Sequence, residues 1–281
     1  MRLISGKHIQ INEFNLYFAD ITEMLLEHFD TPENDNSVII LGSYVKKGYN
    51  TNFFRGLYPG KKIVIYQLEA MMDNSLPWHA PSLVLGNIVG ADEIWDYDLL
   101  NIKYLSWKGI KVDKFVPIRA TKAIDRKWEE VEEDIDVLFY GFLNERRADI
   151  LNKLQQRLYG DVSIVTLSNV GMLQLDDFIR RSKIILNLHA FDPYNRQEQV
   201  RMFYPIMNEK YVLSEPSQAN YFGKSICEVG KDKLHIQINH ALKDDFYKEK
   251  AKEAKKLFIK TTLRKADYQK HKKSMEKAWP I

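Results

Sequence analysis

The sequence predicts an α/β protein built from two successive doubly wound domains with a helical C-terminal extension. Three observations carry that expectation. Short apolar runs bounded by breakers alternate with stretches of helical period through residues 37–117 and again through 135–229. A charged stretch without apolar period, Arg119 to Asp134, separates the two sets and is the expected linker. The length of 281 residues suits two domains of roughly 110–150 residues each. The expected bounds are 1–120 and 125–240, with 241–281 crossing back to the first domain.

Taken in order, the chain opens on a weak strand, and Glu13 to Phe29 reads as a helix with Phe14, Tyr17, Ile21, Leu25 and Phe29 on its apolar stripe. Ser37 to Leu41 is a buried strand, followed by Gly42-Ser43, a small-residue loop that lets a backbone come close to a ligand. Tyr44 to Gly60, rich in Asn, Gly and Tyr, reads as loop and turn. Lys61 to Tyr66 is the next strand and runs into Gln67-Leu68-Glu69 and then Asp73, Trp78 and His79. A helix (Ser82 to Gly90), a strand (Ala91 to Trp95), a helix closed by Gly109 and a strand (Val112 to Pro117) complete the first set.

The second set begins with a strand at Ile135 to Tyr140, a loop Gly141-Phe142-Leu143-Asn144 and a helix at Glu145 to Leu158. Val162 to Thr166 reads as a strand and Leu175 to Arg181 as a helix. Lys183 to His189 is an apolar run that ends in polar groups, Glu198 to Asn208 a helix, and Tyr211 to Glu215 the next strand. Ser225 to Val229 is the last strand; Lys231 to Leu242 and Asp244 to Trp279 read as helical.

In open parallel sheets, ligands bind outside the carboxyl ends of the strands. The residues at those ends are therefore the candidates. Glu69, Asp73 and His79 are the general-base candidates of the first set. In the second set, Gly141 allows a helix N-terminus to approach a phosphate, and Arg146 or Arg147 adds charge. Asn187 and His189 end one strand. Glu198 and Arg201, three apart on a helix, share a face. A carboxylate so placed can accept from both hydroxyls of a ribose, while an Arg and a helix N-terminus hold a diphosphate.

Composition narrows the class. Apolar residues make up 45% and charged residues 28%, ordinary for a globular protein. The single cysteine, Cys227, excludes a disulfide framework. With no apolar segment near Met1 and no run of membrane-spanning length, a cytoplasmic location and no transmembrane segment are expected. The net charge of +3 is uneven: Leu242 to Ile281 holds thirteen Lys or Arg against six Asp or Glu. A basic tail of this kind favours an anionic surface as partner.

Asp136-Val137-Leu138-Phe139-Tyr140-Gly141 followed by Asn144-Glu145-Arg146-Arg147 resembles the opening of the donor domain of GT-B glycosyltransferases. The stretch Arg181 to His189, Glu198-x-x-Arg201 and Val212-Leu213-Ser214-Glu215 is similar to the later motifs of that superfamily's small bacterial and phage members. Ile65 to Glu69, and Ile94 to Tyr97 with Asn101, are similar to its N-terminal half. The resemblance implies two Rossmann-like domains and transfer of a sugar from a nucleotide-sugar to an acceptor hydroxyl, without a metal or other cofactor. It implies that Glu198 holds the ribose, and that Gly141, Asn144, Arg146, Arg147, Asn187 and Arg201 surround the nucleotide and diphosphate. The acceptor, a saccharide or a hydroxymethylated base in DNA, is expected against the first domain near Gly42, Ser43, Asp73, Trp78 and His79. Glu69 and His189 are the expected catalytic groups. The E-x7-E pair of retaining members is missing, since Phe191 lies seven residues before Glu198 and Ala190 eight; retention versus inversion stays open.

Two other readings compete. Asp96-Tyr97-Asp98 is a literal D-x-D behind a strand, as a metal-dependent GT-A glycosyltransferase would use, although Asp98 also suits a helix N-cap. A non-enzymatic nucleic-acid-binding protein would use the basic C-terminal helix, with Lys252, Lys255, Lys256 and Lys260 on phosphates.

Overall fold

The computed structural model describes residues 2–5, 9–13, 18–29, 36–71, 81–126, 128–129, 131–168, 170, 172–192 and 195–262. The chain divides into two compact units: the first includes Met1–Ile118, and the second is Arg119–Arg264.

The first unit has a six-stranded sheet whose strands lie side by side in chain order. They are β1 (Arg2–Ser5), β2 (Ile9–Glu13), β3 (Ser37–Leu41), β4 (Lys62–Gln67), β5 (Glu93–Asp96) and β6 (Lys114–Phe115). β1 runs antiparallel to β2 and every other pairing is parallel. β3 and most of β4 and β5 are buried on both faces, as parallel strands between helical layers must be. On one face, Val38, Ile40, Ile63, Ile65 and Ile94 pack with Phe54 of α2 (Thr51–Leu57), Val84 and Ile88 of α3 (Pro81–Ile88) and Leu105 of α4 (Leu99–Trp107). On the other, Trp95 meets Phe29 of α1 (Ala19–Phe29), ring centroids 5.6 Å apart.

Two expectations need correction here. Glu13 is the last residue of a strand, because Ile9 to Glu13 lies in parallel register with β3; the helix starts six residues later, at Ala19. Tyr44 to Gly60 is not all turn. Asn50 accepts a hydrogen bond from the Phe53 amide at 3.0 Å and so caps α2, a short helix that the Asn- and Gly-rich composition masked.

The second sheet has the order β11-β10-β9-β7-β8. Its strands are β7 (Ile135–Tyr140), β8 (Ile164–Leu167), β9 (Ser182–Asn187), β10 (Tyr211–Ser214) and β11 (Cys227–Glu228), all parallel. From β7 the chain steps outward to β8, then returns past β7 to β9. The strand order therefore reverses between β7 and β9, the switch point at which such sheets bind ligands. Alternate residues separate the two faces. Val137, Phe139, Ile184, Leu186 and Leu213 pack with α5 (Glu145–Arg157), α8 (Leu234–Leu242) and α9 (Phe246–Thr262). The remaining helices of this unit are α6 (Met172–Arg180) and α7 (Gln199–Met207).

The stretch read as a linker is packed onto the second unit. Asn208 donates to Ile124 O at 2.9 Å and accepts from the Arg126 amide at 2.7 Å; Ala120 N donates to Thr262 Oγ1 at 3.0 Å. The expected continuous helix from Asp244 is broken at its start: Asp244 and Asp245 have φ of 53° and 55°, so α9 begins only at Phe246. Residues beyond 262 lie outside the described part. No helix among the described residues is long and apolar enough to cross a membrane.

At the amino end of the second sheet, Lys210 is buried and donates to Glu133 Oε1 at 2.6 Å and to Arg180 O at 2.7 Å. Tyr247 of α9 donates to the other Glu133 oxygen at 2.7 Å. Burial pushes the Lys210 ammonium down, and Glu133 opposes that shift. Removing one partner strands the other charge in the interior. Glu133→Ala is therefore expected to lower the urea-unfolding free energy by about 3 kcal/mol, and adding Lys210→Met to recover most of that loss.

Candidate functional site

The carboxyl ends of β7, β9 and β10 bring together the residues that sequence reasoning picked from the second unit. Asn144 caps α5, accepting from the Arg147 amide at 3.0 Å, and its own amide reaches Ala190 O behind β9. This cap fixes the phase of the helix, so that Arg146 and Arg147 point to different partners.

Arg147 is 2% exposed. Its Nε and Nη2 donate to Leu188 O at 3.0 and 2.7 Å, and its Nη1 to Phe142 O at 2.7 Å. Nη2 also donates to Glu198 Oε1 at 2.8 Å. Arg147 therefore does not present charge to solvent, as the sequence reading allowed. It clamps the loop after β7, the end of β9 and the start of α7 to one another.

Arg146 makes a bidentate pair with Glu215, at 2.6 and 2.9 Å, and donates to Asp192 at 2.8 Å and His189 O at 2.8 Å. The Glu215 hydrogen bonds hold its guanidinium above the ordinary arginine range, and its own hydrogen bond holds the Asp192 carboxyl below the usual carboxylate range. Glu215, almost fully buried, also accepts from the His189 amide at 2.8 Å. His189 Nε2 lies 3.1 Å from Pro216 O. A carbonyl can only accept, so this nitrogen carries a proton.

Glu198 stands at the N-cap position of α7 and offers its side chain to cations instead of the helix amides. One oxygen meets Arg147, the other Arg201. Arg201 Nη1 also donates to Asn187 Oδ1 at 2.9 Å, and Asn187 is held by Ser214 Oγ at 3.0 Å. The Arg201 guanidinium lies flat over Gly141, where an added Cβ would come within 2.8 Å of Nη2; Gly141 also has φ of 137°. The backbone angle is what requires glycine, and the absent Cβ lets the Arg201 head group come this close. Tyr140 donates to Arg201 O at 2.6 Å and fixes the other end of that residue.

Three arginines and three carboxylates thus share one rim, with the first turn of α5 and the start of α7 beside them. Such a rim can take a diol on the carboxylate and an anion on the Arg201 edge and the helix amides.

In the first unit, Glu69 lies just past β4 and is half-buried. The space in front of Gly42 is filled by the Phe18 ring, and Ser43 opens a short 3-10 turn, Ser43–Val45. Asp73, Trp78 and His79 lie outside the described residues. Asp98 caps α4, accepting from Leu100 N at 2.7 Å, while Asp96 is fully buried and accepts from the Asp98 amide at 2.7 Å. No group of three His, Cys, Asp or Glu among the described residues could hold a metal ion.

Sequence reasoning did not single out the clamping role of Arg147 or the pairing of Glu215 with Arg146. The first was signalled: Arg147, Ile150, Leu151 and Leu154 fall on one helical stripe, which puts a guanidinium on the buried face.

Among solved structures, the chain is similar to TarM at a TM-score of 0.53 with 9% identity, over 83% of this chain and 53% of that one. It therefore spans about half of TarM's length. An alpha-glucosyltransferase in complex with UDP and a 13-mer DNA containing an HMU base matches at 0.52, with 10% identity over 92% of this chain and 83% of that chain. T4 phage BGT in complex with its UDP-glucose substrate matches at 0.50, with 11% identity over 96% and 97%. No protein-family model and no curated protein sequence matches. At these identities the likeness is one of fold, and it gives the chain the GT-B fold that the strand-end motifs led us to expect.

A lysine in place of Arg147 retains the charge but loses the planar fork that reaches three elements. Arg147→Lys is expected to lower unfolding stability by about 2–4 kcal/mol in urea titration, whereas Arg157→Lys at the exposed end of α5 changes it by less than about 0.5 kcal/mol.

Proposed function

We propose that the protein is a glycosyltransferase that binds a nucleotide-sugar in its second unit and passes the sugar to an acceptor hydroxyl. One observation carries the reading: Glu198, Arg201 and the Gly141 loop converge at the switch point between β7 and β9. The Glu198 oxygens each retain a lone pair beyond their arginine contacts, enough to accept from two ribose hydroxyls. The Arg201 edge and the first-turn amides of α5 face the diphosphate and stabilise the charge that grows on it as the sugar leaves. His189 and Arg146 complete the rim. Glu69 is the base offered by the first unit, whose neighbourhood near Gly42, Ser43, Asp73, Trp78 and His79 is assigned to the acceptor. No metal is required in this scheme. The UDP of several similar structures makes UDP-glucose the first donor to test.

For the acceptor we favour a hydroxymethylated base in duplex DNA over a saccharide. Two enzymes of matching fold and comparable length, covered to 83% and 97%, are the alpha-glucosyltransferase solved with DNA and T4 phage BGT. A second support lies on α9. Lys248, Lys252, Lys256 and Lys260 are all exposed and spaced four apart, about 6 Å per step along the helix axis. Lys248 is paired with Asp245 at 2.8 Å, so Lys252, Lys256 and Lys260 are the part of the row assigned to phosphates. Lys255 does not belong to it, because it turns inward to Asp125 at 2.8 Å and Glu209 at 3.3 Å.

Glu198→Gln, which retains one acceptor oxygen for Arg147, is expected to weaken UDP-glucose binding by about 10- to 100-fold in calorimetry. Unchanged donor affinity overturns the ribose assignment. For the acceptor, a triple substitution of Lys252, Lys256 and Lys260 by alanine is expected to flatten the slope of log K against log salt by about one per lysine. An unaltered slope removes α9 from the DNA contact.

A further inference from the structure

The first unit contains a second buried polar centre that donor binding does not use. Three neighbouring strands deliver it. Tyr44 comes from the turn behind β3, Gln67 is the last residue of β4, and Asp96 is the last of β5, in register with Gln67. Asn101 of α4 joins them, and all four side chains are fully buried.

Their hydrogen bonds converge on one short stretch of backbone. Gln67 Nε2 donates to Glu69 O at 2.6 Å and to Asp96 Oδ2 at 3.2 Å. Gln67 Oε1 accepts from the Tyr44 hydroxyl at 3.2 Å and from the Glu69 amide. Asn101 Nδ2 donates to Glu69 O at 2.8 Å and to Asp96 Oδ1 at 3.3 Å, and its Oδ1 accepts from Met71 N at 2.8 Å. The Tyr44 oxygen accepts from Leu68 N. Leu68, Glu69 and Met71 are thus tied down by buried side chains, where a surface loop would use water.

Burying four polar side chains at a sheet edge is unfavourable unless every one is satisfied. Here they are satisfied largely by one another and by the peptides on either side of Glu69. The outcome is a fixed backbone under a half-buried carboxylate. From the neighbouring strand ends the titratable groups facing this spot include Tyr44 and Asp96, with Asp98 behind Asp96. Burial, and after it the Glu69 charge, pushes the Tyr44 hydroxyl well above its usual range, so Tyr44 stays neutral and Glu69 is close enough to act on it.

We propose that Gln67 and Asn101 are positioning residues that hold the Glu69 peptide so that its carboxylate is presented to the acceptor hydroxyl as general base. The inference rests on the proposed glycosyl transfer and deepens it. A base displaced by about 1 Å loses on the order of 100-fold in rate, while donor binding is untouched.

The test uses the full chain with UDP-glucose as donor probe and a duplex containing a hydroxymethylated pyrimidine as acceptor probe. Asn101→Ala is expected to lower kcat by about 100-fold with the donor KM within twofold. It is also expected to displace the acid limb of kcat/KM against pH, which reports the base of the free enzyme. Where the alanine variant fails to fold, Asn101→Ser is measured in its place. Glu69→Gln is expected to abolish turnover while leaving donor affinity unchanged. If Glu69→Gln is inactive but the Asn101 variants retain wild-type kcat and acid limb, losing only thermal stability, positioning is overturned and the base assignment stands. If Glu69→Gln retains full turnover, the base assignment itself fails and the positioning role with it.

Discussion

One buried guanidinium organises the candidate donor site. Arg147 joins the loop after β7, the end of β9 and the entry of α7 through four hydrogen bonds at 2.7–3.0 Å. An arginine in that position is desolvated, so its partners must match its fork closely. Leu188 O, Phe142 O and Glu198 do so. Because Glu198 is one of them, its carboxylate is held in place before any ligand arrives, and Arg201 is oriented through Glu198 in turn. The arrangement is preorganised: the geometry that would meet a diol and an anion is fixed by the protein's own charges.

The second sheet divides its polar groups by edge. At the carboxyl edge, cations and carboxylates alternate along a rim that retains some exposure. At the amino edge, Lys210, Glu133 and Tyr247 are arranged to satisfy one another. The difference follows from topology. The chain order reverses between β7 and β9, so the loops leaving those two strands part in opposite directions. The first sheet uses the same edge differently, turning its strand-end side chains inward onto the Glu69 peptide.

Much of this was readable before the structure. Asn187, His189 and Glu198 were legible because an apolar run that stops in polar residues marks the exit of a buried strand, and parallel sheets collect such exits on one side. The grouping at one rim followed from that rule alone. The fork between Arg146 and Glu215 was not legible, since it depends on the register of β10 against β9, and the two residues are 69 positions apart. The helix α2 was hidden by its Asn and Gly, which signal a turn as readily as a cap. Lys255 could not be told from its exposed neighbours without knowing which face of α9 lies on Asp125 and Glu209. Gln67, Asp96 and Asn101 stand in the motifs of the first half, but their joining into one inward-turned centre was not legible, because it depends on the register of β4 against β5.

The contact between Gly141 and Arg201 has a consequence for how this chain can vary. A side chain at position 141 would have to push the Arg201 head group aside and also hold a φ of 137°, which L residues rarely adopt. The constraint is therefore one-sided: glycine is required at 141 whatever stands at 201, while a shorter residue at 201 asks nothing of 141. A randomised library screened for folding should return glycine at 141 beside many different residues at 201, although the two touch across sixty residues of sequence.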